Sequence, residues 1–343
     1  MDSSPLTALI DAFEGRTVAV IGDVVADEFV YGRVARVSRE APVLILEYDS
    51  TEIVPGAGGN AANNVAALGA RASLVSVIGR DDAGRRLLAA LHSRVVRTRV
   101  TRAARSSTLI KTRILAGGVH SAKQQVVRID RGVGQTVDAS SRARFERAAL
   151  ASLPGADAVL MSDYGSGLVT PELARRVSQA LRRQGHPIPL LIDSRYRLLE
   201  YRGLTACTPN ESEVEQALAV RINDNARVLE KAGRAILKRT GMRAVLITRG
   251  GRGMALFVPG AATLHIPIYG SDEIADVTGA GDTVMATMTL ALAAGATFEA
   301  AARLANYAGG IVVMKRGTAT VSRNELLAAV RRAPLSGAPK SHG

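Results

Sequence analysis

The stretch Asp276-Val277-Thr278-Gly279-Ala280-Gly281-Asp282-Thr283 opens a long apolar run. Residues 281–293 read as a helix. Small residues at 279–281 let its first-turn amides come close to an anion, and a helix N-terminus offers unpaired N–H groups and a partial positive charge. Asp282 falls in that first turn, where a carboxylate suits a general base beside a transferring phosphoryl group. The alternative for any Gly-Ala-Gly-Asp is a plain helix start with an acidic N-terminal residue.

Outward from this stretch, apolar strands alternate with helical segments. Strands are expected at 17–22 (TVAVIG), 73–78, 158–161, 189–193 and 244–248. Helices are expected at 60–69, 81–91, 171–183, within 225–239, and at 281–293 and 299–314. Such alternation predicts an α/β fold with a mostly parallel sheet covered on both faces, and near-continuous apolar strands agree. Residues 29–48 and 108–130 break the rhythm. Both read as antiparallel strands, the second around a Gly117-Gly118 turn, and together they suggest a small inserted β-sheet lid; two ordinary surface hairpins are the alternative. Residues 1–333 are expected to form one domain, and the Ser/Gly/Pro-rich residues 334–343 a disordered tail.

The chain has 343 residues, 47% hydrophobic and 22% charged, which is globular composition and excludes general disorder. Aromatics are 3% and Trp is absent, so the core must be aliphatic and rich in Ala. The net charge of +13 invites a nucleic-acid reading. However, Lys occurs only at 111, 123, 231, 238, 315 and 340, and scattered Arg supplies the rest without any basic block. The charge therefore points to Arg usage in general or to a local site for an anionic small substrate, with no nucleic acid and no membrane partner expected. The single cysteine, Cys207, excludes an intrachain disulfide and suggests a reducing compartment. The N-terminal residues carry no basic region and no run is long enough to span a bilayer, so a cytoplasmic setting is expected.

Other segments fit phosphate and polyol chemistry. Thr208-Pro209-Asn210-Glu211-Ser212-Glu213 starts a helix with Asn210 and Glu213 on one face. Their oxygens suit water-mediated Mg²⁺ near phosphates, or else they form a reciprocal helix cap. Thr248-Arg249-Gly250-Gly251-Arg252-Gly253 ends a strand in glycines, which fits a loop under a nucleotide or a β-hairpin turn. Asp23 and Asp27 follow the first strand, and Gly56-Ala57-Gly58-Gly59-Asn60 leads into a helix bearing Asn64. Carboxylates and amides at strand ends suit a polyhydroxylated substrate. The P-loop pattern is absent, and Gly56-x-Gly58-x-x-Ala61 is a weak dinucleotide match.

Taken together, these segments resemble the PfkB (ribokinase-like) carbohydrate kinase family over about residues 16–330. Within it, the likeness is to D-glycero-β-D-manno-heptose 7-phosphate kinases. It is carried by Gly22-Asp23-Val24-x-x-Asp27, Ser38-Arg39-Glu40-Ala41-Pro42-Val43, Lys111-Thr112-Arg113, Gln124-Gln125-x-x-Arg128-x-Asp130, Ser162-Asp163-Tyr164-x-x-Gly167, Thr208-Pro209-Asn210-x-x-Glu213 and Asp276 to Asp282. The chain departs from that subgroup at Arg39, where Pro is usual, at Asp193-Ser194-Arg195, where Asp-Pro-Lys is usual, and in its glycine segment. These departures bear on the exact sugar.

The resemblance implies a ribokinase-like three-layer α/β/α fold and ATP-dependent phosphorylation of the anomeric O1 of heptose 7-phosphate, giving the 1,7-bisphosphate. The rivals are a family kinase for fructose, ribose or a nucleoside, and a catalytically silent sugar-binding protein on the same scaffold. It implies Asp282 as base, with the amides of Gly279, Ala280 and Gly281 holding developing charge. Mg²⁺ would be organised through Asn210 and Glu213. Thr248, Gly250 and Gly253 would line the nucleotide, with Asn306 near the adenine. Asp23, Asp27, Gly58, Gly59, Asn60, Asn64 and Asp163 would bind the sugar. Asp276, Thr278 and Gly317 would hold a monovalent cation such as K⁺. Lys111, Arg113 and Arg128 on the lid strands would clamp the substrate's own phosphate, and the lid would pair with its mate in a homodimer. Some relatives carry a C-terminal nucleotidyltransferase with a His-x-Gly-His motif; no such motif occurs here, so a stand-alone kinase is expected.

Overall fold

In the computed structural model, which describes residues 4–104, 106–117, 123–132, 134, 136–185, 187–270, 276–315 and 317–332, the run TVAVIG is a strand whose alternate side chains enter two different cores. Val18 and Val20 join one core, and Ala19 and Ile21 the other. Strand side chains point to opposite faces in turn, so a strand buried on both sides must be apolar at every position.

The chain order is α1 (Ser4–Asp11), β1 (Thr17–Gly22), β2 (Val24–Val37), β3 (Leu44–Ala57), α2 (Gly58–Ala67), β4 (Arg71–Gly79), α3 (Asp82–Ala89), β5 (Val95–Val96), β6 (Val100–Ala103), β7 (Leu109–Gly117), β8 (Gln124–Arg131), α4 (Ala139–Ala151), β9 (Ala158–Asp163), α5 (Pro171–Arg183), β10 (Leu190–Ser194), β11 (Ala206–Cys207), α6 (Glu211–Leu218), α7 (Ala226–Thr240), β12 (Ala244–Thr248), β13 (Met254–Phe257), β14 (Leu264–Ile266), α8 (Ala280–Ala293), α9 (Phe298–Val313) and α10 (Arg323–Arg332). The main sheet runs β14-β13-β12-β11-β10-β9-β1-β4-β5, with β6 also pairing β4. Its strands from β12 to β5 are parallel, while β13 and β14 add an antiparallel edge. One core lies under α1, α2, α3, α8, α9 and α10, the other under α4, α5, α6 and α7. Parallel strands bring their carboxyl ends to one edge of the sheet, so Asp23, Asp163, Ser194, Thr208 and Thr248 share that rim.

The second sheet has the order β3-β2-β7-β8. Its outer pairs are antiparallel, but the central pair β2–β7 is parallel, which corrects the expectation of antiparallel strands throughout. The physical reason is connectivity: β2 and β7 come from separate excursions off the main sheet and leave it in the same direction. The lid strands are also longer than 29–48 and 108–130, since β2 and β3 continue from the site itself at Val24 and Ala57. Gly117 ends β7, while Gly118 of the expected turn and the tail 334–343 lie outside the described residues.

Thr248 to Gly253 does make a hairpin, joining β12 to β13. Gly253 has φ +76°, and a Cβ there would lie 2.1 Å from the Ile266 carbonyl oxygen. A side chain is excluded both by backbone sterics and by β14. Gly253→Ala is therefore expected to cost about 1–3 kcal/mol, the order of a strained left-handed residue. Denaturant unfolding of the two proteins measures this; an unchanged midpoint would refute it.

Candidate active site

The site is built where α8 starts. Gly279 takes a left-handed conformation, φ 77°, and a Cβ on it would lie 2.5 Å from the Asn60 amide nitrogen. Only glycine gives this turn and this approach. Ala280 N–H donates to the Val277 carbonyl at 3.2 Å, so that amide closes the turn rather than facing an anion. Gly279 and Gly281 remain as the helix-start amides expected to meet a phosphate.

Asp282 is 4% exposed. Its Oδ2 accepts a hydrogen bond from Asn60 Nδ2 at 3.0 Å. Burial pushes its pKa up to about 7, with the Asp27 charge adding to the rise; the Asn60 hydrogen bond and the Lys111 charge act the other way. A carboxyl group poised there exchanges a proton readily near neutrality.

Cavities adjoin it in a row. The first, about 380 Å³, is mainly apolar, with Met254, Ile268, Val277, Val284, Asn306 and Val313 among its walls. Thr248, Gly250 and Gly253 also line it, and Asn306 donates to the Pro267 carbonyl at 2.9 Å. The second, about 350 Å³, holds Asp282, Asp193, Glu213, Tyr164 and Arg195, and shares Asn210, Thr248, Val277 and Gly281 with the first. The third, about 170 Å³, is lined by Lys111, Arg128, Arg131 and Arg195, and shares Tyr164 and Arg195 with the second.

Asn210 and Glu213 form the reciprocal helix cap: Glu213 N–H donates to Asn210 Oδ1 at 2.9 Å and Asn210 N–H to Glu213 Oε2 at 2.8 Å. The same two side chains face the second cavity, so capping and site lining coincide. Burial raises the Glu213 pKa. Asp193 is pushed well above the usual carboxylate range by burial and then by Glu213, Asp282 and Asp163, with Arg195 opposing. Carboxylate oxygens crowded this way, with an amide oxygen beside them, fit a hard divalent cation reached through water.

Several residues expected at the sugar bond to the protein itself. Asp23 accepts from the N–H groups of Tyr164 and Ser166, at 2.8 and 3.3 Å, and from the Ser166 hydroxyl. Its pKa rises to about 6, mainly by burial. Asp163 accepts from Ser194 Oγ at 2.8 Å, Tyr201 OH at 2.7 Å and Gly165 N–H at 3.1 Å. These two carboxylates fix the loop that carries Tyr164. Gly58 and Gly59 are buried at the start of α2, where Gly58 N–H donates to the Asp23 carbonyl at 2.9 Å. Asn64 is buried one turn beyond Asn60.

Arg113 pairs with Asp27, their side chains being 12% and 8% exposed, and does not reach the third cavity. Thr318 Oγ1 donates to the same Asp27 at 3.3 Å. Lys111 lies over the Tyr164 ring at 4.9 Å, and burial lowers its pKa. Arg128 pairs with Asp130, and Arg131 with Glu28. Among the described residues neither Lys111 nor Arg195 has an ion-pair partner. Asp276 accepts from Thr278 N–H at 2.8 Å and Gly317 N–H at 3.1 Å, which gathers the three residues expected at a monovalent cation. Sequence reasoning did not single out Tyr164, Asp193, Arg131 or Arg195 as site residues, nor Gly309 and Gly310 on α9. The last two have a readable signal, adjacent glycines inside a helix, where a Cβ on Gly310 would lie 2.1 Å from the Tyr269 carbonyl oxygen.

The pfkB family carbohydrate kinase model matches residues 16–325. The bifunctional protein HldE of Caulobacter vibrioides is 41% identical over 328 residues, covering 94% of this chain and 65% of its own length. That of Geobacter sulfurreducens is 39% identical over 310 residues, covering 90% and 61%. The chain thus spans about two thirds of the length of these curated relatives. Among solved structures, Arabidopsis thaliana ribokinase, complexed with ribose and ATP, superposes with a TM-score of 0.69 at 19% identity over 93% of this chain and 100% of that one. Escherichia coli phosphofructokinase-2 in complex with potassium gives 0.71 at 19% over 92% and 99%. Both share the ribokinase-like fold found here. From the family match over most of its length, this chain belongs to the pfkB carbohydrate kinases and is a phosphotransferase acting on a sugar.

Proposed function

We propose that the chain transfers the γ-phosphoryl group of ATP to the anomeric O1 of D-glycero-β-D-manno-heptose 7-phosphate, giving the 1,7-bisphosphate. The observation that carries this reading is the row of cavities: apolar for the base, acidic where transfer occurs, cationic at the far end. A sugar without its own phosphate leaves Lys111 and Arg195 with no anion to meet, whereas Arg128 and Arg131 already have Asp130 and Glu28. The heptose itself rests on the motif likeness at Gly22–Asp27, Ser38–Val43 and Gln124–Asp130.

ATP lies with its adenine toward Asn306 and its phosphates toward Gly279 and Gly281. Asn210, Glu213 and Asp193 would hold Mg²⁺ through water, and the ion would supply neutralisation of charge on the phosphates. Asp276, Thr278 and the backbone near Gly317 would hold a monovalent cation such as K⁺. Asp282 takes the proton from O1 as O1 bonds to the γ-phosphorus and the bond to ADP breaks. Tyr164 forms the floor between the acidic and cationic cavities. Arg113, expected in the phosphate clamp, is paired with Asp27 under the lid and takes no part in it. These substrates are charged and do not cross membranes, which agrees with a cytoplasmic enzyme; among the described residues no helix is long and apolar enough to span one.

Asp282→Asn is expected to lower kcat by about 10²–10⁴ while ATP binding by calorimetry is unchanged; near-normal turnover removes Asp282 as base. The same variant should be the more stable protein above pH 7. The native carboxyl holds its proton up to about pH 7 when folded and only to about 3.8 when unfolded, so its burial costs stability as pH rises through that window. Arg195→Ala and Arg128→Ala should each raise KM about 10- to 100-fold for the phosphorylated sugar, the scale of a charged hydrogen bond, and leave KM for its unphosphorylated analogue nearly unchanged. Equal changes for both sugars would count against the phosphate clamp.

The outer lid face exposes Val37 at 59%, Tyr48 at 67%, Val127 at 48% and Ile129 at 46%. We assign this apolar sheet face to pairing with a second copy. Light scattering at micromolar concentration should give twice the 36.0 kDa chain mass, falling to one chain in Val127→Asp. A wild-type monomer would contradict the pairing.

A further inference from the structure

Asn60 and Asn64 lie one turn apart on α2, both buried, at 1% and 0% exposure. Their hydrogen bonds form a directed chain. Val321 N–H donates to Asn64 Oδ1 at 3.2 Å. Asn64 Nδ2 donates to Asn60 Oδ1 at 3.0 Å and to the Asn60 carbonyl at 3.1 Å. Asn60 Nδ2 then donates to Asp282 Oδ2 at 3.0 Å and to the Gly279 carbonyl at 3.1 Å.

The direction of this chain is set at both ends. The Val321 amide can only donate, so it requires the oxygen of Asn64. That places the Asn64 nitrogen toward Asn60, which must answer with its oxygen. The Asn60 nitrogen is left facing the Gly279 carbonyl, which can only accept, and Asp282, whose ionised carboxylate accepts. Both hydrogens of the Asn60 amide are thereby committed, one to the carboxylate and one to the turn that begins the anion site.

We propose that Asn60 and Asn64 act as an amide relay that orients the Asp282 carboxylate against the helix start, Asn60 by direct contact and Asn64 through Asn60. Both are positioning residues, and the proposal rests on the reading of Asp282 as base. The relay ties two things that must be in register at transfer: the oxygen that takes the proton and the Gly279 turn that presents amides to the phosphoryl group. Its far end is Val321, just after Thr318, which bonds Asp27 at the root of the lid.

The test uses the whole chain, with ATP and whichever of heptose 7-phosphate, fructose and ribose it turns over fastest, in Asn60→Ala, Asn64→Asp, the double variant and Asp282→Asn. Asn64→Asp keeps an acceptor for Val321 but cannot donate to Asn60, whose amide then turns its oxygen toward Asp282. Each single variant should lose about 10- to 100-fold in kcat, part of what a placed base supplies, with ATP affinity unchanged by calorimetry. Loss of the Asn60 donor makes the Asp282 carboxylate harder to form, so the acid limb of kcat/KM should move to higher pH. Acting through Asn60, Asn64→Asp should add nothing to Asn60→Ala. Multiplying losses, or lowered kcat with an unmoved acid limb in variants that melt cooperatively, would overturn the relay while Asp282→Asn stays inactive. Turnover by Asp282→Asn would overturn the base reading itself. If Asn64→Asp fails to fold, Asn64→Gln, which retains a donor and an acceptor, serves in its place: a wild-type acid limb in both Asn64→Gln and Asn60→Ala overturns the relay.

Discussion

A carboxylate enclosed at the start of α8 must be held ionisable inside a protein, and much of the architecture follows from that. Removing Asp282 from water disfavours its charge. Three features offset this: the N-terminal end of a long helix, an amide donor from Asn60, and the Lys111 charge across the cavity. Each comes from a different part of the chain, α8, α2 and the lid strand β7. The base is therefore competent only when sheet, helices and lid are assembled together.

The parallel sheet supplies this assembly without special devices. Its strands end on one rim: Asp193 and Thr248 at the ends of β10 and β12, and Asp23, Tyr164 and Asn210 just after β1, β9 and β11, come to a common edge. Two layers of groups result. Asp23 and Asp163 spend their oxygens on the loop that bears Tyr164, and Asn64 spends its amide on Asn60. Their neighbours Tyr164, Asp193, Glu213 and Asp282 are thereby left facing the cavity. The net charge of +13 has a local counterpart here, since Lys111 and Arg195 face the cavities with no ion-pair partner among the described residues, while many surface arginines are paired with nearby acids.

How much of this could be read from sequence follows the range of each signal. Strands 17–22 and 244–248 and helix 171–183 fall where the residues place them, because uninterrupted apolar runs and Pro171 at a helix start are local signals. Helix α4 escaped notice, since its buried stripe is only Ser141, Phe145 and Ala149. The parallel β2–β7 pair could not be seen, because no local pattern distinguishes which distant strand a lid strand joins. In the site, Gly279, Asp282 and Asn210 announce themselves through helix-start chemistry. The protein partners of Asn60, Asp23 and Asp163 could not be read from sequence, since a buried amide or carboxylate and a ligand-binding one look alike there. Arg113 and Arg195 show the same limit: only the fold turns one toward Asp27 and the other toward the cavity.

The pH dependence of kcat/KM between pH 5 and 9 tests the central claim most directly, because it reports the essential base of the free enzyme. With Asp282 enclosed as described, activity rises with an apparent pKa near 7. A profile already flat from pH 5 upward would mean that the carboxylate is as acidic as one in water, and would contradict the account.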